Sequence, residues 1–135
     1  MKKSRSDAIR WLKQATHDLE IAQKHLTDQY YSDACFMAEQ TGQKALKAYL
    51  FSQGERFVSE HSLVALVQKC RGHDQNFETL VEGCRLLDRY YIPTRYPDAW
   101  PEPAAPFEGY GKKEAEDSVK VAKDIVALVR TQIGE

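Results

Sequence analysis

Motifs that would directly indicate a catalytic or ligand-binding chemistry are missing from this 135-residue sequence. It has no glycine-rich phosphate loop, and its four histidines are scattered without the i, i+4 spacing of a helical metal site. We therefore expect no metal and no cofactor. The three cysteines are odd in number and widely separated among apolar residues, which predicts buried reduced thiols and not a disulfide frame.

Long apolar runs and an excess of one charge are also absent. The net charge of −1 and the isoelectric point near 6.4 exclude a global basic field that would draw the protein onto nucleic acid or an anionic membrane. The basic first residues lead into a charged amphipathic stretch, which excludes an ordinary signal peptide, and no segment could span a membrane. A cytoplasmic protein with only local nucleotide contacts is expected.

Helical periodicity runs through most of the chain, and no segment alternates like a strand. The length predicts one domain over residues 1–135. We predict an all-α, antiparallel up-and-down bundle of four to five helices, with a long proline- and aromatic-rich loop before the last helix. The predicted segments are a first helix carrying Ala8 to Leu26, then Tyr30 to Ser52, a short helix capped by Ser62, Gln75 to Tyr91, the loop Pro93 to Gly111, and Lys112 to Ile133.

Small residues recur on one face of the second helix. Ala38, Gly42, Ala45 and Tyr49 lie at helical spacings of four, three and four. Such a face lets a neighbouring helix approach closely, which offsets the roughly 1 kcal/mol cost of a mid-helix glycine. We expect it to be exposed in part and to support a homodimer.

The segment from Leu86 to Asp98 concentrates arginine and tyrosine where prolines stop a helix. Pro93 and Pro97 bias the residues before them, Ile92 and Tyr96, toward extended backbone, so nearby side chains stay at the helix end. Candidate binding residues here are Arg89, Tyr91, Arg95, Tyr96 and Asp98. The alternative is a structural corner in which the tyrosines pack and the arginines pair with Asp88 and Asp98.

Two lysines of the second helix are further candidates. Lys44 and Lys47 share a face with Gln40 and could meet a phosphate group. A solvated charged face is the commoner explanation of such a pattern.

Taken together, these residues resemble the small prokaryotic HEPN domains, named for higher eukaryotes and prokaryotes nucleotide-binding. The likeness covers nearly the whole chain and lies in Trp11 with Asp18-Leu19, the run Gln40 to Leu50, His61, and the run Arg95 to Asp98. It implies a helical bundle that commonly dimerises, frequent pairing with a minimal nucleotidyltransferase in a toxin and antitoxin arrangement, and RNA cleavage in several branches. Gln43 stands where the family usually has an acid, and Gly42 where it usually has alanine.

Ribonucleases of that family carry an arginine and a histidine separated by four to six residues. Arg56 and His61 have this spacing, but the apolar Phe57 follows the arginine, and we interpret the match as coincidental. After the fourth helix, Arg89 is followed by Tyr96 without any histidine, and a tyrosine with a pKa of about 10 exchanges protons poorly. The catalytic residues therefore stay unassigned, and His61 is expected to be structural, at the start of a helix.

Two functions of different classes remain open. The first is a nucleotide- or RNA-interacting subunit in which the arginines hold phosphate and a tyrosine stacks. The second is a non-catalytic protein-interaction module, in which the same side chains anchor a nucleotidyltransferase partner or a second copy of the chain.

Overall fold

The computed structural model describes residues 2–91 and 93–135, and within these ranges every regular element is helical, which confirms the all-α prediction. No helix in the described ranges is long and apolar enough to cross a membrane. The second and last helices match the predicted bounds except that the second begins one residue later. The helices are α1 (Lys2–Thr27), α2 (Tyr31–Ser52), α3 (Leu63–His73), α4 (Val81–Leu87) and α5 (Lys112–Ile133).

The helix α1 runs antiparallel to both of the other long helices. It ends before Gln29, whose φ of 69° turns the chain back toward α2. Trp11 near the start of α1 packs on Phe51 near the end of α2, with ring centroids 5.4 Å apart. Arg5 pairs at 2.8 Å with Glu135, just beyond the end of α5. These contacts fix the direction of the bundle, in which α2 packs against each of the other four helices.

The small-residue face of α2 lies inside the chain. Ala38 and Ala45 are fully buried. A Cβ atom on Gly42 would lie 2.6 Å from Leu63 Cδ2 and 3.1 Å from Ile125 Cδ1, so the glycine allows α3 and α5 to approach α2. The expectation that part of this face is exposed is therefore wrong, because helices of the same chain cover it. The homodimer stays a prediction, without this face as its support.

The predicted fourth helix is divided into three parts. Its first residues, Gln75–Leu80, and the turn Asp88–Tyr90 are 3-10 helix, and only α4 between them is α-helical. The change from α-helix to 3-10 helix occurs at Asp88, whose carboxylate accepts hydrogen bonds from backbone N–H groups at the start of α3. This tertiary contact is invisible to local periodicity.

The proline-rich loop before α5 is packed against the bundle, as its aromatic content predicts. Trp100 Nε1 donates a hydrogen bond to the Pro93 carbonyl at 2.7 Å. The Trp100 ring contacts Tyr110 edge to face at 5.4 Å between centroids, and Tyr110 in turn contacts Tyr90 at 5.7 Å. Tyr90 Oη donates to Glu114 on α5 at 2.9 Å. The loop therefore holds the segment around residue 95 in a defined place.

Candidate functional site

A cluster of aromatic rings surrounds the guanidinium group of Arg95. Its Cζ atom lies 4.5 Å from the ring centroid of Phe36, 5.0 Å from that of Tyr96 and 5.2 Å from that of Tyr91. Arg95 Nε donates to the Tyr91 carbonyl at 3.1 Å. The side chain is exposed, and it forms no ion pair with any described acid. Two guanidinium nitrogens thus stay available to an anion, above a platform of π faces.

Local backbone contacts hold this arginine in place. Thr94 is buried, and its hydroxyl donates to the Tyr90 carbonyl at 2.6 Å, one residue before the equivalent contact of Arg95. Tyr96 has extended backbone, with φ −118° and ψ 123°, as expected for a residue before proline. Ile92, for which the same was expected, lies outside the described residues.

His61 joins the same cluster. Its imidazole is exposed and stacks on the Tyr91 ring, with centroids 5.7 Å apart and planes 11° from parallel. The Nδ1 atom lies 3.3 Å from Gln43 Oε1, and Gln43 Nε2 donates to the His61 carbonyl at 3.2 Å. We call Arg95, Phe36, Tyr91, Tyr96 and His61 the Arg95 surface.

Asp88 satisfies the free backbone groups at the start of α3. Its carboxylate accepts hydrogen bonds from the backbone N–H groups of Leu63 at 2.6 Å and Val64 at 3.1 Å, and from the Ser62 hydroxyl at 2.9 Å. Helix starts leave such N–H groups unpaired unless a side chain reaches them. The structural role expected of His61 stays a prediction, and the backbone groups at this helix start are satisfied by Asp88. The alternative in which Asp88 pairs with the arginines is wrong, because Asp88 forms no ion pair with an arginine among the described residues and its contacts go to the start of α3.

A buried carboxyl group lies behind the Arg95 surface. Glu39 on α2 has no exposed surface and accepts hydrogen bonds from Gln40 Nε2 at 2.8 Å and Gln43 Nε2 at 3.1 Å. Burial raises the pKa of Glu39 to about 7, and the charge of Asp88 adds to the rise, while both amides and the charge of Arg95 oppose it. The charge around Arg95 therefore changes near neutral pH.

The two candidate lysines are already engaged with other side chains of the chain. Lys44 Nζ pairs at 2.5 Å with Asp18, which is buried on α1. Lys47 is buried, so the interpretation of these lysines as a solvated charged face is wrong for Lys47. Its ammonium lies 5.7 Å from the Trp11 ring centroid and 3.4 Å from Gln43 Oε1. Burial lowers the pKa of Lys47, and nearby Glu60 and Glu39 counteract that effect.

The remaining candidates are exposed and uncommitted. Arg89 lies on the turn Asp88–Tyr90, and Asp98 lies on the short 3-10 turn Pro97–Ala99. Neither side chain forms a hydrogen bond or ion pair with another residue in the described part of the chain. The expectation that Arg89 holds phosphate together with Arg95 stays a prediction.

The spacing of Arg56 and His61 does not produce a joint site among the described residues. Arg56 lines a separate cavity of about 220 Å³ beside Lys3 and Phe57. His61 instead contacts Gln43 and Tyr91. The interpretation of the spacing as coincidental stays a prediction.

Three contributors were not among the sequence candidates. Phe36, Glu39 and Gln43 share one face of α2 at spacings of three and four residues, a pattern that was readable from the sequence. These three side chains form a site only together with His61 and Arg95, which come from distant parts of the chain.

A sequence model of the HEPN domain matches residues 8–132. The chain therefore belongs to the HEPN domain family, as its resemblance implied.

Among the similar proteins, TT1696 from Thermus thermophilus has a crystal structure that superposes with a TM-score of 0.86; it is 38% identical, over 93% of this chain and 97% of that one. The archaeal HEPN homologue ST0689 is 33% identical, over 94% and 98% of the two chains, with a TM-score of 0.78. A Methanocaldococcus jannaschii protein named "Putative toxin MJ1304" is 26% identical over 132 residues, which span 93% of this chain and 87% of that protein.

Proposed function

We propose that this HEPN-family protein binds RNA or nucleotides through the Arg95 surface and acts as the toxin member of a toxin and antitoxin pair. The observation that carries the binding proposal is the Arg95 guanidinium, which lies on three aromatic rings and has no acid partner in the described chain. The name of the M. jannaschii relative supports the toxin role.

The chemistry of the surface suits a nucleotide. A guanidinium group donates forked hydrogen bonds to phosphate oxygens, and these charge-assisted bonds are the stronger kind. Exposed tyrosine rings stack on bases of any sequence, and arginine adds a cation–π term. Tyr96 is 50% exposed and can serve as such a platform beside the cation. The near-neutral net charge is compatible with binding at one local site.

Binding is tested with a fluorescent single-stranded oligouridylate of about ten nucleotides, within the usual site size for such proteins. Arg95→Ala should weaken binding about tenfold or more, the loss expected for hydrogen bonds to a charged group. Its thermal unfolding should stay close to that of the parent, because Arg95 is exposed and a cation–π contact at an exposed site is worth only about 0.5–1 kcal/mol. Arg89→Ala measures whether the second arginine takes part.

Arg10→Ala is the matched control. It removes the same charge from α1, where Arg10 lines a different cavity, so a general electrostatic contribution affects both variants alike. Equal losses in the two variants would contradict a site at Arg95. Absence of nucleotide and RNA binding by the parent would contradict the proposal as a whole.

The second candidate function is protein interaction at the same surface. It is favoured by the half-exposed Tyr96 beside Arg95, because tyrosine and arginine are enriched among interface anchors. A minimal nucleotidyltransferase is the partner that the family resemblance implies, and it would act as the antitoxin. Coexpression with such a protein from the same genome tests this, with Arg95→Ala expected to weaken the complex and added RNA expected to compete with it.

We also propose a homodimer, with an interface that does not include the small-residue face of α2. Its support is the exposed Phe57 and Phe107, which are 90% and 71% accessible and of the type that anchors interfaces. Sedimentation equilibrium decides it: a monomer mass independent of concentration would contradict the dimer.

A further inference from the structure

Glu39 is a buried carboxyl group whose hydrogen bonds come from neutral side chains. It has no exposed surface and forms no ion pair in the described part of the chain. Its Oε1 atom accepts a hydrogen bond from Gln40 Nε2 at 2.8 Å, and its Oε2 atom accepts one from Gln43 Nε2 at 3.1 Å. Amides satisfy the oxygens of a carboxylate but do not balance its charge, and a buried charge without a partner is costly. These surroundings therefore favour the protonated form of Glu39.

The two amides differ in their freedom to accommodate that proton. Gln43 Nε2 also donates to the His61 carbonyl at 3.2 Å, and Gln43 Oε1 faces the Lys47 ammonium at 3.4 Å, so the reversed amide would meet a donor with a donor. Gln40 has no second hydrogen-bond partner among the described side chains. When Glu39 Oε1 carries a proton, Gln40 can turn and accept it with its own oxygen. The carboxyl group thus changes its charge without disturbing the contact to His61.

The buried carboxyl group lies one helical turn from the platform of Arg95. Phe36 and Glu39 are three residues apart on α2 and share a face, and the Phe36 ring contacts the Arg95 guanidinium at 4.5 Å. Burial raises the pKa of Glu39 to about 7, and the charge of Arg95 opposes that rise. An anion that neutralises Arg95 removes this opposition. The charged and titratable groups around Glu39 are Lys47 on α2, His61 before α3, Asp88 on the 3-10 turn and Arg95 on the loop.

We infer that Glu39 is a proton switch for the Arg95 surface: with Glu39 protonated the surface binds an anion more tightly, and the Glu39 carboxylate weakens that binding by repulsion. The inference rests on the proposed binding of nucleotides or RNA and names its regulation. Coupling between two sites is reciprocal, so a bound phosphate favours the proton on Glu39 by the same factor by which the proton favours phosphate.

The test measures binding of the fluorescent oligouridylate at pH 6 and at pH 8. The strand carries no terminal phosphate, so its phosphodiesters keep a constant charge over this range. Histidine ordinarily changes its charge in the same range, and the comparison is therefore made in His61→Phe, which keeps a ring to stack on Tyr91. This variant should bind about three- to tenfold more tightly at pH 6 than at pH 8, the order expected for one unit charge near a surface site in salt.

The informative step adds Glu39→Gln to His61→Phe. Glutamine keeps the shape and the neutral charge of the protonated acid and does not titrate. The double variant should bind equally at the two pH values, with the affinity of His61→Phe at pH 6. Glu116→Gln in the same background removes an exposed carboxylate of α5, and as the matched control it should leave the ratio of affinities unchanged.

A second measurement uses the parent protein and does not depend on the folding of a variant. The side-chain carboxyl carbon of Glu39 in ¹³C-labelled protein reports its protonation by NMR. Saturating oligouridylate should move the midpoint of this titration to a pH about 0.5 to 1 higher, the equivalent of a three- to tenfold change in affinity. An unchanged midpoint overturns the inference.

The outcomes separate this inference from the proposed function. Equal affinities of His61→Phe at pH 6 and pH 8 overturn the role of Glu39 and leave the proposed anion site intact. A ratio that survives in the double variant overturns that role as well. Failure of the parent to bind the strand at either pH overturns the proposed function, and this inference with it.

Discussion

Two regions beside α2 hold cations in contrasting states. In one of them Lys44 is paired with the buried Asp18 and lines a groove of about 320 Å³ with Arg10, Trp11 and Gln14, which we call the Lys44 groove. In the other, Arg95 is exposed on three aromatic rings without a described acid partner. Both regions combine positive charge with aromatic rings, yet only one leaves its cation free.

The difference shows that charge and residue type do not by themselves define an anion site. A phosphate that approaches Lys44 must compete with a carboxylate already in contact, whereas a phosphate at Arg95 displaces only water and adds the first ionic partner. The Lys44 groove is accordingly expected to contribute to stability, and the Arg95 surface to binding.

The largest expected effect on stability is at the Lys44 pair. Lys44→Ala leaves the buried Asp18 carboxylate without its cation, which should lower the free energy of unfolding by about 3 kcal/mol or more. Urea denaturation measures the loss, and RNA binding of the folded variant should not change. Lys120→Ala, which breaks an exposed pair with Asp124, is the control and should cost less than about 1 kcal/mol. A loss of RNA binding in folded Lys44→Ala would contradict the contrast.

Glu39 should give the protein a pH-dependent stability with a definite sign. Its folded-state pKa of about 7 lies above the ordinary 4.5, so the native state keeps a proton that the unfolded chain releases between these values. The free energy of unfolding should fall as pH rises through this window, by up to about 3 kcal/mol, and then level off. Glu39→Gln should remove most of this fall. An identical pH profile in parent and variant would show that Glu39 does not titrate there.

A smaller effect is expected from the residue that connects the Arg95 surface to α3. Asp88→Ala removes the acceptor for two backbone N–H groups at the start of α3 and should cost about 1–2 kcal/mol. His61, which belongs to the Arg95 surface, precedes this helix start by two residues, so binding of the oligouridylate should weaken as well. Asp117→Ala, which breaks an exposed pair with Lys113 on α5, is the control; it should leave binding unchanged and cost less than about 1 kcal/mol. A loss of unfolding free energy as large as that of Lys44→Ala would contradict the expectation that Asp88 contributes less to stability than Lys44.

Much of the fold was predictable from local patterns. The periodicity of α2 and α5 predicted their bounds, and Ser62 caps α3 as expected, since its hydroxyl accepts from the Ala65 N–H at 3.2 Å. The interruption of the fourth helix was not predictable. It accompanies a contact between Asp88 and Leu63, which are 25 residues apart, and hydrophobic spacing carries no information on such a contact.

The candidate site was predictable only where the local sequence determines it. Pro93 and Pro97 indicated that Tyr91, Arg95 and Tyr96 stay together at a helix end, and the structure places all three in one cluster. The contributions of Phe36 and His61 depend on how α2 and the segment before α3 meet this corner. Whether a lysine is free or paired also depends on tertiary contacts, as Lys44 and Asp18 demonstrate.

The most direct test of the contrast is an NMR titration of the ¹⁵N-labelled protein with uridine monophosphate. It follows the side-chain Nε–H resonances of Arg95 and Arg10, together with the ring signals of Tyr91, Tyr96 and Trp11. We expect the signals of Arg95, Tyr91 and Tyr96 to shift together in a saturable manner, while those of Arg10 and Trp11 in the Lys44 groove stay in place. Saturable shifts confined to Arg10 and Trp11 would place the anion site in the Lys44 groove and contradict the account.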